Sequence, residues 1–242
     1  MNRSIPFALL LLAACASHAP INTTAQPVPT TATRKDIHWF RSSAEYRGIA
    51  LEVYRMAGDK LPELSRGLAR GAWAVILDAD ETVLDNSKHE RDLADRNEVY
   101  TETGWTAWVR ERAAGAVPGA VEFIGRVRAL GGRVAIVTNR ADSLCAPTRD
   151  NLKSIGVVAD VVLCNTLNSN DKNPRFEMIR SGTAATGIPA LNVVAWIGDN
   201  IQDFPNLTQM VRTLSGGYAD FGVKYFLLPN PMYGSWEKNP EP

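Results

Sequence analysis

One short stretch of the sequence, AVILDADETVLDNS, places a group of carboxylates directly after an apolar run. The apolar run covers residues 74–77, and the acidic side chains that follow it are Asp78, Asp80, Glu81 and Asp85. Carboxylates that are held close together repel one another, and burial removes the water that stabilises their charge. Because a divalent cation would compensate for both costs, the stretch indicates a metal-assisted site.

Two other apolar runs, residues 133–138 and 193–198, also lead into polar side chains. The side chains at their ends are Thr138, Asn139, Arg140, Asp199 and Asp203. Lys172 lies between the two runs in the chain. Each piece alone is typical of a polar turn, a helix cap or a solvated loop lysine. Their order, with each strand-terminal group after an apolar run, favours one shared site.

The carboxylates fit the chemistry of phosphoryl transfer from a phosphate monoester. This reaction needs a nucleophile, an acid for the leaving oxygen, and positive charge around the phosphoryl oxygens. We predict that Asp78, at the end of its strand, is the nucleophile and forms an aspartyl-phosphate. Asp80 lies two residues further on the same side of an extended chain, and we predict that it protonates the leaving group and later activates water. These roles imply a lowered pKa for Asp78 and a raised pKa for Asp80.

The other side chains of the set are predicted to hold the phosphate and a metal ion. Lys172 would neutralise the phosphoryl oxygens and restrain the nucleophile, so it counts as catalytic and as a phosphate ligand. The predicted phosphate ligands are Thr138, Asn139, Arg140 and Lys172. Since a hard cation prefers oxygen ligands, we expect Mg²⁺. Its predicted ligands are Asp78, Asp80, Asp199 and Asp203.

Alternating strand-like and helix-like segments must position these residues. The predicted strands are residues 74–77, 133–138, 160–164, 193–198 and 224–229. The predicted helices cover residues 41–61, 105–114, 118–130 and 148–156, the first with a capping box formed by Ser42 and Glu45. This alternation predicts an α/β fold with a Rossmann-like parallel sheet and helices on both faces. We assign residues 36–242 to this domain, with a small helical cap formed by the insert after the first strand and the N-terminal helix.

The N-terminus is predicted to be a targeting segment rather than part of the fold. Residues 1–14 contain a basic start and an apolar run too short to span a bilayer, which is typical of a signal peptide. The sequence Leu-Ala-Ala-Cys ending at Cys15 resembles a bacterial lipobox, in which the cysteine is lipidated. The alternative is an ordinary secretory signal cut near Ala19. Residues 15–35 are predicted to be a flexible tether. The cysteine is followed by Ala16 and not by Asp, which resembles the signal for sorting to the outer membrane more than the signal for retention at the inner membrane.

Composition excludes some partners and leaves others open. A formal net charge of +0 gives no support for nucleic-acid binding. Two cysteines, Cys145 and Cys164, either pair in an oxidising compartment or remain free small core residues. No cysteine–histidine cluster has the spacing of a zinc site. A homodimer also remains open.

The motifs together resemble the haloacid-dehalogenase-like (HAD) phosphatases, and among them the class C acid phosphatase lipoproteins of bacterial outer membranes. The segments that carry this resemblance are RSSAEYRGIALEVYRMA, WTAWVRERAAGAVPGAVEFI, VTNRAD, WIGDNIQDF and LLPNPMYGSWE. The resemblance implies a Mg²⁺-dependent phosphomonoesterase of broad specificity, often acting on nucleoside monophosphates. It also implies that Asp78 is the nucleophile, Asp80 the acid and base, and Thr138 a phosphate ligand. Asp199 and the backbone carbonyl of Asp80 would bind the metal.

Three other functions make different demands on the same residues. A phosphotransferase on this fold would use the same nucleophile and metal, and a dehalogenase would give Asp80 no leaving oxygen to protonate. A surface lipoprotein that only binds would not need the whole set. The sequence leaves the substrate open, because Trp105, Trp108 and Tyr233 either stack on a ring of the substrate or pack in the core and cap.

Overall fold

The computed structural model describes residues 34–166 and 169–241. The predicted signal peptide, the lipidation site at Cys15 and nearly all of the predicted tether lie outside the described residues, so these remain predictions. Within the described part, every helix is too short or too polar to cross a membrane.

Five parallel strands form the central sheet. The strands of the chain are β1 (Trp73–Leu77), β2 (Leu84–Asp85), β3 (Gly115–Ala116), β4 (Arg133–Ala141), β5 (Val161–Asn165), β6 (Asn192–Gly198) and β7 (Tyr225–Leu227). Their spatial order in the sheet is β5-β4-β1-β6-β7, while β2 and β3 form a separate antiparallel pair. The carboxyl ends of β1, β4 and β6 therefore lie side by side, which brings the three predicted motifs to one edge.

Helices cover both faces of this sheet. They are α1 (Lys35–Ser42), α2 (Ala44–Leu64), α3 (Ser87–Asp95), α4 (Glu102–Glu111), α5 (Ala120–Ala129), α6 (Cys145–Ser154) and α7 (Asn173–Ser181). Successive strand residues point to opposite faces. Val75 and Leu77 of β1 pack in the cluster that contains the apolar sides of α2 and α5. Ala74 and Ile76 pack on the other face in the cluster that contains Phe176 of α7. The predicted α/β class is therefore confirmed.

The strand predicted for residues 133–138 is longer than expected. After an irregularity following Val137, Ala141 of β4 still pairs with Asn165 of β5. Asn139 and Arg140 therefore belong to the strand, as Thr138 does, instead of following it. The prediction ended the strand too early because these residues are polar, whereas backbone pairing to a neighbouring strand does not depend on side-chain polarity.

Helix boundaries also differ from the prediction at several places. The first predicted helix begins at Ala44, and the backbone N–H of Tyr46 donates to Ser43 Oγ at 3.0 Å, so Ser43 is the cap instead of Ser42. Helices α1, α3 and α7 were not predicted. They are short, and their polar composition hides the apolar side that tertiary contacts bury, as for Phe176 of α7.

A small helical lobe is inserted between β1 and β4. It contains α3, α4 and the short β2–β3 pair, and α1 packs against α3. On the other side of β4, Cys145 and Cys164 form a disulfide that joins the start of α6 to β5. The structure thus resolves the open pairing of the two cysteines.

Candidate active site

Asp78 follows β1 directly and meets a lysine from another element. Its backbone N–H donates to the carbonyl of Ile197 at 3.0 Å, which fixes it at the edge of the sheet. Lys172, at the N-cap of α7, donates from Nζ to Asp78 Oδ1 at 2.5 Å and to Asp203 Oδ1 at 2.6 Å. The lysine is buried, with 3% of its side chain exposed. The predicted proximity of Lys172 to the nucleophile position is therefore present.

Asp199 and Asp203 lie in the segment that follows β6, and their carboxylates approach the carboxylate of Asp78. One oxygen from each of Asp78, Asp199 and Asp203 lies within 4.8 Å of the other two, so this cluster could hold a metal ion. Asp199 is oriented by Thr82 Oγ1, which donates to its Oδ1 at 3.0 Å, and by Asn230 Nδ2, which donates to its Oδ2 at 2.9 Å.

Gly198 makes room for this cluster. A Cβ at position 198 would lie 2.3 Å from Cβ of Asp203, which is far below any ordinary contact. The other oxygen of Asp203, Oδ2, accepts from the backbone N–H of Asn200 at 2.9 Å. The Gly-Asp-Asn turn after β6 therefore positions both acidic side chains, and glycine is needed where the chain passes closest to one of them.

Lys172 alone does not balance the negative charges of the cluster. Three ionised carboxylates with one lysine leave two negative charges. Burial, together with the charges of Asp203 and Asp80, raises the pKa of Asp78 to about 7 despite the opposing effect of Lys172. Burial and the neighbouring Asp203 and Asp78 also raise the pKa of Asp199 well above its ordinary value. Lys172 alone therefore does not lower the pKa of Asp78, and a divalent cation fits the remaining negative charge.

Asp80 has different neighbours from Asp78. Arg140 donates from Nε and Nη2 to Asp80 Oδ1 at 3.0 and 2.6 Å, and Asn86 Nδ2 donates to the same oxygen at 2.8 Å. The Arg140 side chain is 1% exposed, and it also donates to Thr148 Oγ1 at 3.1 Å. The structure differs here from the expectation that Arg140 binds phosphate, because its guanidinium is engaged by the carboxyl of Asp80.

Thr138 and Asn139 lie beside this edge with partners of their own. Thr138 is fully buried, and its Oγ1 accepts from the backbone N–H of Arg140 at 3.1 Å. The Asn139 side chain donates to the carbonyl of Asn170 at 3.2 Å and accepts from Arg175 Nη2 at 2.5 Å. Arg175 also donates to the Thr138 carbonyl. Asn139 is therefore held against the loop that precedes α7, which differs from its predicted role as a phosphate ligand.

Sequence reasoning missed Arg175 and Asn86. Arg175 connects the end of β4 to the helix that follows Lys172, yet its sequence context is that of an ordinary surface arginine.

Asp85 and Glu81, two of the acidic side chains that follow the first apolar run, lie outside the carboxylate cluster. Asp85 accepts from the backbone N–H of Ser87 at the start of α3. Glu81 is fully buried at a positive φ of 50°, and burial raises its pKa well above the ordinary value. Its Oε1 accepts from the backbone N–H of Asn86 at 2.7 Å.

A cleft of about 820 Å³ opens beside Asp80 between the sheet edge and the helical lobe. Trp105 and Tyr233 line it, whereas Trp108 is buried and donates from Nε1 to Asn86 Oδ1 at 2.9 Å. Of the two alternatives for the aromatic residues, packing in the interior applies to Trp108, whereas Trp105 and Tyr233 face the cleft, where a substrate ring could stack on them. The cleft wall also contains four glutamates, Glu90, Glu98, Glu102 and Glu237.

Comparisons with known proteins place this geometry in a family. Residues 8–236 match the family described as HAD superfamily, subfamily IIIB (acid phosphatase). The chain belongs to this family. As an acid phosphatase of this family it is a phosphomonoesterase, which confirms the predicted enzyme class.

Two kinds of relative agree with this assignment. The phosphatase is 25% identical over 191 residues to acid phosphatase 1 of Solanum lycopersicum, covering 77% of this chain and 69% of that protein. It is also similar to the class C acid phosphatase of Bacillus anthracis, solved alone and with tungstate bound. In both of those structures the TM-score is 0.74 and the identity is 28%, over 84% of this chain and 85% of the other.

Proposed function

We propose that this phosphatase hydrolyses phosphate monoesters with the help of Mg²⁺ and through an aspartyl-phosphate on Asp78. The observation that carries this proposal is the contrast at the sheet edge, where Asp78 lies in a carboxylate cluster with Lys172 and Asp80 lies outside that cluster. One carboxylate is thus available to attack phosphorus, and a second lies two residues away for proton transfer.

The first step joins the phosphoryl group to the enzyme. An oxygen of Asp78 attacks phosphorus, the bond from phosphorus to the ester oxygen breaks, and Asp80 gives its proton to that oxygen. Lys172 stays protonated because the charges of Asp203 and Asp78 raise its pKa, although burial opposes them. Its ammonium group offsets the charge of the phosphoryl oxygens.

The second step releases phosphate. Asp80, now ionised, takes a proton from a water molecule that attacks phosphorus, and the bond to the Asp78 oxygen breaks. Asp80 ends with its proton and Asp78 ends as a carboxylate, so the enzyme is regenerated. A bound divalent cation would supply positive charge to the phosphoryl oxygens, and Asp78, Asp199 and Asp203 are the side chains that would hold it.

The cleft supports nucleoside monophosphates as a substrate class. Trp105 and Tyr233 line it and offer flat faces to an aromatic ring. Glu90, Glu98 and Glu102 line the same cleft and would repel additional phosphate groups. We therefore propose that the leaving group is a neutral or cationic ring compound with one phosphate, and that nucleoside di- and triphosphates are poorer substrates.

A phosphate-release assay tests the proposed function. The enzyme is stripped of divalent ions with a chelator and then supplied with Mg²⁺, and free phosphate is measured from nucleoside mono-, di- and triphosphates in water without an acceptor alcohol. We expect activity only after Mg²⁺ is added, and the highest kcat/KM for monophosphates. Full activity after exhaustive chelation would contradict the metal role, and a requirement for an acceptor alcohol would identify a phosphotransferase.

We also propose that the mature protein is anchored at the bacterial outer membrane by lipid on Cys15. The support is the lipobox-like sequence before Cys15, together with the predicted tether that follows it. Replacing Cys15 with Ser should release the protein from membrane fractions. Equal membrane retention of both forms would contradict the anchor.

A further inference from the structure

Asn86 is a fully buried amide that contacts the proposed acid, although none of the roles above uses it. Its Nδ2 donates to Asp80 Oδ1 at 2.8 Å and to Glu81 Oε2 at 3.3 Å. Its Oδ1 accepts from Trp108 Nε1 at 2.9 Å and from Arg140 Nη2 at 3.1 Å. The residue therefore joins the loop after β1 to a helix of the inserted lobe and to β4.

The neighbours of Asn86 determine which way its amide faces. The indole of Trp108 and the guanidinium of Arg140 can only donate hydrogen bonds, so the amide oxygen must face them. The amide nitrogen must then face the carboxyls of Asp80 and Glu81. A flipped amide would set donor against donor on one side and acceptor against acceptor on the other, which is unfavourable in a buried network.

This arrangement treats the two oxygens of Asp80 differently. Oδ1 accepts from Asn86 and twice from Arg140, with distances of 2.8, 3.0 and 2.6 Å. Oδ2 has a longer contact to Arg140 Nε at 3.2 Å. Asp80 lines the cleft, and 19% of its side chain is exposed. Oδ1 is therefore the more firmly held oxygen, with three hydrogen bonds against one longer bond to Oδ2, which leaves Oδ2 as the oxygen that a bound substrate can reach with the smaller loss of hydrogen bonding.

We propose that Asn86 is a positioning residue that anchors Asp80 Oδ1, so that Oδ2 carries the transferred proton, and that Trp108 fixes the orientation of Asn86. The proposal rests on the proposed function, since it concerns the proton that Asp80 gives to the leaving oxygen. In that step the Oδ2–H bond breaks and a new O–H bond forms on the leaving alcohol, while the bond from phosphorus to that oxygen breaks. Without Asn86, Oδ1 keeps only the two hydrogen bonds from Arg140 on one side, so the carboxyl is held less tightly and Oδ2 is directed less well toward the leaving oxygen.

The dependence of rate on the leaving group separates this role from a structural one. An aryl phosphate such as p-nitrophenyl phosphate leaves as a stable anion and needs little protonation, whereas an alkyl phosphate such as glycerol phosphate needs a proton. The value of kcat/KM reports the steps up to transfer of the phosphoryl group to Asp78. A misplaced acid lowers kcat/KM for the alkyl substrate, whereas a general loss of folded enzyme lowers both equally.

The experiment compares Asn86→Ala, Trp108→Phe, the double variant and Asn151→Ala with the wild type. Asn151 is a matched control, because it is a buried amide that exchanges hydrogen bonds with the backbone of Ala114 at 2.8 and 3.2 Å and does not contact Asp80. We expect Asn86→Ala to lower kcat/KM for the alkyl phosphate about 10- to 100-fold, and less than about threefold for the aryl phosphate. Because ionised Asp80 also activates water, hydrolysis of the aspartyl-phosphate should slow, and the aryl substrate should show a burst of released p-nitrophenol.

Trp108→Phe removes the indole N–H together with the five-membered part of the ring, and it keeps an aromatic ring in this buried position. We expect a smaller loss with the same preference for the alkyl substrate, and no additional loss when it is combined with Asn86→Ala. Asn151→Ala should lower Tm and leave the ratio of alkyl to aryl kcat/KM unchanged.

Equal losses for the two substrates in Asn86→Ala would overturn the proposal, as would an equally large change of the ratio in Asn151→Ala. If Asn86→Ala does not fold, Trp108→Phe alone decides, and an unchanged ratio there overturns the proposal. Failure of the proposed function looks different, because the wild type itself would then release no phosphate from either substrate.

Discussion

Asp78 and Asp80 are two residues apart on one loop, yet the protein surrounds them in opposite ways. Asp78 lies among carboxylates with one shared lysine, and burial raises its pKa to about 7. Asp80 is held by a buried arginine and a buried amide, and its carboxyl faces the cleft. The first residue belongs to the sheet edge, and the second is held by β4 and the inserted lobe.

The different surroundings of Asp78 and Asp80 indicate different functions for these two residues of one loop. The cluster around Asp78 has an excess of negative charge and therefore favours a cation, which the proposed transfer of the phosphoryl group to Asp78 requires. Asp80 lies outside this cluster and already has a positive partner, because the buried guanidinium of Arg140 holds its Oδ1. The comparison predicts that the same substitution will have different effects at the two positions.

Asp78→Asn should give the largest loss of activity. Without the nucleophile the aspartyl-phosphate cannot form, and we expect a fall of more than about 100-fold in kcat for every substrate. Because the substitution removes a charge from a cluster with excess negative charge, stability without Mg²⁺ should be kept or increased. Phosphate release and thermal unfolding measure the two effects, and residual activity above about a hundredth of wild type would remove Asp78 from its role.

Lys172→Met should cause the next largest change, because it leaves Asp78 and Asp203 without their lysine. Loss of one partner from a buried ion pair costs about 3–5 kcal/mol of unfolding free energy. We expect Tm in chelator to fall strongly and Mg²⁺ to restore part of the loss, since the cation replaces some of the missing positive charge. Arg180→Met is a suitable control, because this arginine pairs with Glu177 at the surface at 3.9 Å. A Tm that falls equally in both variants would contradict the account.

Asp80→Asn should give a loss that depends on the leaving group. We expect kcat/KM to fall about 100-fold or more for alkyl phosphates and much less for aryl phosphates, because only the former need a proton. Unlike Asp78→Asn, this change should lower stability by about 1–3 kcal/mol, since the buried guanidinium of Arg140 loses its charged partner. Equal losses for both classes of substrate, together with an unchanged Tm, would show that the two aspartates are not distinguished in this way.

The smallest expected effect is a pH dependence of stability. The pKa of Asp78 is about 7 in the folded state and near 4 in the unfolded state. Between about pH 4 and about pH 7 the folded state therefore binds more protons than the unfolded state. Its contribution is therefore present below about pH 4 and is lost as pH rises through about 7. In chelator, Tm of the wild type should fall a few degrees more between about pH 5 and about pH 7.5 than Tm of Asp78→Asn. Identical pH profiles for the two proteins would contradict the raised pKa.

The sequence was sufficient for the parts of this comparison that depend on local pattern. Apolar runs followed by Asp78, Thr138 and Asp199 predicted three strands and their shared edge, because the carboxyl ends of parallel strands meet. Lys172 could be named because few lysines lie between the motifs. The sheet order confirms the three strands and their shared edge, and the structure places Lys172 beside Asp78, while its role stays a prediction.

The rest depended on tertiary contacts that spacing does not encode. The sequence around Arg140 does not indicate that its guanidinium binds Asp80 instead of phosphate. The guanidinium is oriented by hydrogen bonds to Thr148 and Asn86, which lie elsewhere in the chain. Asn86 itself begins a polar stretch in which the sequence predicts neither a helix nor a buried residue. Its role depends on Trp108, which lies in the inserted lobe, so only the folded structure brings the two together.

The disulfide between Cys145 and Cys164 has a consequence for how the protein matures. It closes a segment with a sequence separation of 19 residues and fixes the start of α6, the helix that carries Thr148 to Arg140. A cross-link of this kind forms and persists in an oxidising compartment. Complete folding of this chain therefore includes an oxidation step, and protein produced in a reducing cytoplasm would lack a covalent restraint on one wall of the cleft.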